Sequence, residues 1–228
     1  MMGFNPWRLN RILAVAGHYG SGKTEIAMAL SLTAAEAGLK AKVVDLDIVN
    51  PFFRSAEQGE VLAARGVGVI APPYALTGVD LPVLPAQVQS VFDDPSIYAV
   101  LDAGGEEAGA SALGRYRPQM ERTGCALYYV VNIFRPFSED EDQIERQMER
   151  IAHRARLTPV GLINNSNMGS RTTPEDVLEG QAVLQRVAAR TGIPVAAAAG
   201  ERRILEALGD LSVPVIPLDL MLKPEWMD

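Results

Sequence analysis

The sequence predicts an α/β fold: a doubly wound, mostly parallel sheet with helices on both faces. Three observations carry this. Short apolar runs alternate with amphipathic segments along the 228 residues. Most of those runs are apolar at nearly every position, as strands covered on both faces are. The first run leads through a glycine-rich loop into a helical segment, the order of a parallel unit.

The first strand is expected at 11–16, "RILAVA". A helix follows over 22–37 and stops at Gly38, a residue that takes the left-handed position past a helix end without steric cost. Strands come next at 41–46, 67–71, 97–101 and 125–133. The best-marked helix is 139–156, where Ser138 and Glu141 make an S-x-x-E capping box and Ile144, Met148, Ile151 and Ala155 form one apolar stripe. Acid at its start and base at its end suit the helix dipole. A strand at 159–163, a helix at 174–190 capped by Thr173 with Pro174 first, and strands at 193–198 and 213–218 complete the series. The proline-rich stretch 71–85 reads as an ordered surface connection. Without repeats or low-complexity tracts, the expectation is a single domain over 1–228.

Composition narrows the function. Hydrophobic residues make up 48% and charged residues 21%, which is globular. A net charge of −7 argues against general nucleic-acid binding, which needs clustered Lys and Arg. The one cysteine, Cys125, argues against a disulfide framework or a Cys-ligated cluster. The opening "MMGFNPWRLNR" has no long apolar core, and no window nears the ~18 apolar residues of a spanning helix. A cytoplasmic protein without membrane attachment is expected.

Four segments carry chemistry. Residues 17–24, "GHYGSGKT", fit G-x-x-x-x-G-K-S/T between a strand and a helix. Gly17, His18, Tyr19, Gly20, Ser21 and Gly22 would wrap phosphate with backbone N–H groups, and the helix N-terminus adds a positive dipole end. Lys23 adds a point charge at the outer phosphates, the Thr24 hydroxyl reaches Mg²⁺, and Glu25 follows in the first helical turn. In "VVDLDIVNPFFRS", Asp45 and Asp47 fall on the same side of a strand by its period of two. One would support the metal shell and the other orient the attacking water. In "YAVLDAGGEEAG", Asp102 ends an apolar strand, a pattern that holds Mg²⁺ through water, and D-x-x-G brings the Gly105 N–H to the terminal phosphate. Glu106 and Glu107 follow on a segment expected to be mobile. In "VGLINNSN", the Asn164 and Asn165 amides match the N6 and N7 edge of adenine, or they make Asx turns at a strand end. No N-K-x-D sequence is present, which counts against guanine. "AGERR", after 193–198, is a further candidate to close over the base, and Arg54, Arg115, Arg117 and Arg171 are candidate anion contacts.

Together the loop, "DLD", the Asp102 strand and the Asn164 strand end resemble the MinD/ParA-type, or nitrogenase-iron-protein-like, P-loop ATPases over roughly residues 10–210. The resemblance implies ATP or ADP with Mg²⁺ as cofactors and a doubly wound sheet. It also implies Asp47 as the residue positioning water and a homodimer bridged by nucleotide. Three functions fit: an ATP hydrolase acting as a switch or assembly factor on an unknown protein, a synthetase or small-molecule kinase similar to dethiobiotin and cobyrinic acid synthetases, or a binding module without turnover. Members of the family carry lysine and glycine where this loop has His18 and Tyr19. The expectation is therefore that ATP alone does not drive tight face-to-face dimerisation. Either His18 stands in for the lysine, or it is a loop residue with its ring on the protein surface.

Overall fold

The structure, a computed structural model, describes residues 2–47, 59–71, 87–104, 106–209 and 211–219. The first half contains β1 (Ile12–Gly17), α1 (Lys23–Glu36), β2 (Lys40–Asp45), α2 (Gly59–Ala64), β3 (Val67–Ile70), α3 (Gln87–Asp93), β4 (Ile97–Asp102) and α4 (Glu106–Arg115). The second contains α5 (Arg117–Thr123), β5 (Cys125–Val131), α6 (Glu141–Ala155), β6 (Pro159–Asn164), α7 (Pro174–Thr191), β7 (Val195–Glu201), α8 (Arg202–Ala207) and β8 (Val215–Leu218). The strands form one sheet in the order β3-β2-β4-β1-β5-β6-β7-β8, parallel at every pairing. All eight expected strands are present, with ends displaced by a few residues.

Alternation by twos survives although both faces are apolar. Ile12, Ala14 and Ala16 of β1 join a core layer with Leu113, Ile144 and Leu184. Leu13 and Val15 join the opposite layer with Ile26, Leu30 and Leu62. Helices therefore cover both sides, and β1 is buried along its whole length. The four apolar positions of α6 are its buried residues. Among the described residues no helix is long and apolar enough to cross a membrane.

Local expectations fare unevenly. Gly38 sits past α1 at φ 76° and Thr173 caps α7 in a reciprocal box with Asp176. The cap of α6 is Asp140, not Ser138: Asp140 is extended and accepts from the Gln143 N–H at 2.8 Å, while Glu141 turns to Arg186. An acidic acceptor nearer the helix displaces the serine. Glu106 and Glu107 open α4. "AGERR" is no loop either, because β7 runs on to Glu201 and α8 starts at Arg202. The connection expected over 71–85 lies outside the described residues from 72 onward.

Candidate phosphate-binding site

β1 lies between β4 and β5, so strand order runs both ways from it. Open parallel sheets bind ligands beyond the carboxyl ends of the strands at such a switch point. The loop after β1 occupies that place.

Glycine is required there by geometry. Gly20 and Gly22 have φ of 75° and 84°, and Gly22 is the N-cap of α1. A side chain in that conformation costs about 1–2 kcal/mol, and a Cβ on Gly22 would strike the Asn165 amide nitrogen. A Cβ on Gly17 would strike the Val130 carbonyl oxygen of β5.

Three side chains hold the loop's carbonyls. Buried Lys23 donates from Nζ to the His18 oxygen at 3.0 Å, Arg135 from Nε to Gly20 at 3.1 Å, and Asn165 from Nδ2 to Ser21 at 2.7 Å. In a trans peptide the next N–H points opposite to the carbonyl. The Tyr19 and Gly22 N–H groups are thereby turned away from these donors, the sense an anion needs. The first N–H groups of α1 lack helical partners and add to that potential.

The acids converge beside it. Asp45 and Asp102 are register partners on β2 and β4, both buried. The Thr24 hydroxyl bonds the Asp102 carboxylate, whose Oδ1 has no hydrogen-bond partner among the described residues. Burial pushes Asp102 up to about 6, against the Thr24 hydrogen bond and the Lys23 charge, with the Asp47 charge adding to the rise. A buried carboxylate oxygen without a donor, next to a hydroxyl, is an oxygen set that suits a hard cation such as Mg²⁺. Among the described residues no group of three or more His, Cys, Asp or Glu is arranged to hold a metal by itself.

Asp47 departs from the strand reading. β2 ends at Asp45, whose Oδ1 accepts from the Asp47 N–H at 2.8 Å. This Asx contact turns the chain, so the period of two stops at Asp45. Asp47 instead packs on Gly104, where a Cβ would collide with it. Leu46 N–H donates to the Asp102 carbonyl at 2.9 Å, tying the two acid-bearing segments together.

Asn164 is fully buried and committed inside the protein. Its amide donates to the Val177 carbonyl at 2.9 Å and its Oδ1 accepts from the Ser166 N–H at 3.1 Å, the Asx alternative. Asn165 sits beneath the loop. His18 is buried with its ring edge-on to Phe137 at 5.7 Å, and Tyr19 is 56% exposed. Glu25 is half-buried in the first turn of α1. Arg117 pairs with Glu121 at 2.7 Å, while Arg115 and Arg171 are exposed. Gly105 and Arg54 lie outside the described residues. Arg135 and Phe137 were not among the sequence candidates, and "FRPFS" carried only a turn signal at Pro136.

No protein-family model and no curated protein matches the chain. Solved structures do. The cell division protein FtsY from Thermotoga maritima aligns over 87% of this chain and 64% of its own at 17% identity and a TM-score of 0.50. FtsY from Mycoplasma mycoides aligns over 86% and 61% at 17% identity and a TM-score of 0.52. The chain thus spans less than two thirds of either structure's length. At these identities the likeness is one of architecture, and it agrees with the sheet order: the chain shares with these structures a doubly wound, parallel α/β fold.

Proposed function

We propose that the chain binds nucleotide through residues 17–25 and hydrolyses ATP with Mg²⁺, serving as a switch or assembly factor for a partner protein. The observation that carries this is the convergence of Lys23 and Thr24, at the N-terminus of α1, with Asp45, Asp47 and Asp102 at the ends of β2 and β4. A glycine loop alone accounts for binding. The acids beside it account for turnover.

Each group has a role. Lys23 exchanges the His18 carbonyl for phosphate oxygen, so its charge moves from a dipole to an anion. Thr24, with Asp45 and Asp102 behind it, would hold Mg²⁺. That ion supplies charge neutralisation at the phosphates. Asp47, half-buried and past the strand, accepts a hydrogen bond from the attacking water and aligns it. Asp45 fixes Asp47 through its backbone N–H.

The base preference rests on Asn165. Its Nδ2 must face the Ser21 carbonyl, which can only accept, so its orientation is set. Its Oδ1 is buried with no partner among the described residues. An acceptor there suits the amino group of adenine and opposes the O6 acceptor of guanine.

The test is turnover of Mg²⁺-ATP and Mg²⁺-GTP, measured as phosphate release and as diphosphate formed. Equal yields, ATP favoured, and loss in Lys23→Ala are expected. No nucleotide binding at millimolar concentration, or GTP bound tenfold more tightly, overturns the reading.

A further inference from the structure

The connection from β5 to α6 returns over the loop and is held in a defined shape. Asn132 anchors its start, accepting from the Phe134 N–H at 3.1 Å and donating to the Asn167 carbonyl at 3.0 Å. The Ser138 N–H closes a turn on the Arg135 carbonyl at 3.1 Å. Phe137 has φ 61°, a left-handed conformation that persists in a non-glycine residue only where its surroundings impose it. Its ring meets His18.

Arg135 lies along the loop within this connection. Its Nε donates to the Gly20 carbonyl, and its Cδ and Cζ would sit 3.4 and 3.7 Å from a Cβ on Gly20. The remaining four N–H donors have no partner among the described residues. Arg65, Arg117, Arg122, Arg186, Arg190 and Arg203 all rest on carboxylates. Arg135 rests on a loop shaped for anions, in a chain of net charge −7. Its planar fork of donors matches phosphate oxygens two at a time.

We propose that Arg135 contacts the terminal phosphate of a bound nucleoside triphosphate and sets the preference for triphosphate over diphosphate. The inference rests on the nucleotide reading above. Lys23 and the α1 N-terminus meet the phosphates from inside the loop. Arg135 approaches over the outside of Gly20 and meets the phosphate that projects beyond it. Nε keeps the guanidinium in place while the outer nitrogens serve the ligand.

Arg135→Gln and Arg135→Lys test this, since Arg135 is exposed and either side chain fits. Dissociation constants for β,γ-imido-ATP and for ADP, both with Mg²⁺, are measured by calorimetry on folded variants. Arg135→Gln weakens the imido-ATP complex about tenfold or more, as loss of a charged hydrogen bond does, and leaves ADP within about twofold. Arg135→Lys keeps part of the discrimination. Equal loss for both ligands shows a residue that only steadies the loop, and no loss for either shows a bystander; each overturns the proposal while nucleotide binding stands. A wild-type chain that binds neither ligand overturns the nucleotide reading and this inference with it.

Discussion

Lys23 Nζ lies 3.0 Å from the carbonyl oxygen of His18, so the loop's cation is folded back on the loop's own backbone. In the proposed nucleotide complex a ligand phosphate would displace that carbonyl, because it carries charge.

Mg²⁺-ATP at 100 times its Kd therefore stabilises the fold by about 2.7 kcal/mol. For a chain of this size the melting temperature rises by roughly 5–10 °C. Lys23→Ala removes a charged contact worth about 1.5–3 kcal/mol and shrinks the shift. Scanning fluorimetry measures both, and equal shifts in the two proteins would show that Lys23 does not hold phosphate.

Asp47 and Asp102 separate in their effects. Asp47→Ala keeps nucleotide affinity and lowers kcat by about 100-fold or more, because alignment of water matters in the transition state. Asp102→Ala weakens Mg²⁺-dependent binding itself. Titration with and without the ion, beside turnover, distinguishes them. Wild-type turnover in Asp47→Ala contradicts its role.

Gly104→Ala drives a methyl into Asp47. Overpacking of this kind costs about 1–3 kcal/mol, and here it displaces the residue assigned to water. Urea unfolding should show the loss, and kcat should fall further than affinity. A variant with unchanged urea midpoint and kcat would mean that the two segments do not touch in solution.

Acid sensitivity has an assignable part. The Lys40 ammonium, 2.8 Å away, and the Ser96 hydroxyl hold Asp94 well below the usual carboxylate value of 3.8. The folded state thus binds this proton less readily than the unfolded chain. The pair's contribution is complete above about pH 4 and is lost as pH falls below 3.8 toward the folded value. Urea midpoints of wild type and Asp94→Asn should differ near pH 6 and converge toward pH 2. A gap that widens in acid refutes the assignment.

The sheet was legible because doubly covered strands write themselves as apolar runs, from "RILAVA" to "VPVIPL". The loop was legible because its glycines and Lys23 answer local demands. What failed was competition between near-equal neighbours. Ser138 and Asp140 are both good caps, and backbone shape chose Asp140. Asn164 had chemistry for a base or for a turn, and full burial gave it to the turn. The Asp45–Asp47 period broke because a carboxylate captured the N–H two residues on. Arg135 meets Gly20 across 115 residues of sequence, a pairing no local pattern encodes.

The all-parallel order also governs when the protein can assemble. No two adjacent strands are joined by a hairpin, and Ile12 must wait for Ala99 and Cys125 before β1 has both its neighbours. Such distant closures must precede the contacts that reward them, which makes folding slow. On the ribosome the loop after β1 emerges before the residues that support it, since Val130 backs Gly17 and Asn165 braces Gly22. A nascent chain therefore completes the support of this loop only after residue 165 has left the exit tunnel. Until then the glycine loop lacks both of these supports, and the proposed nucleotide site is incomplete through the early stages of folding.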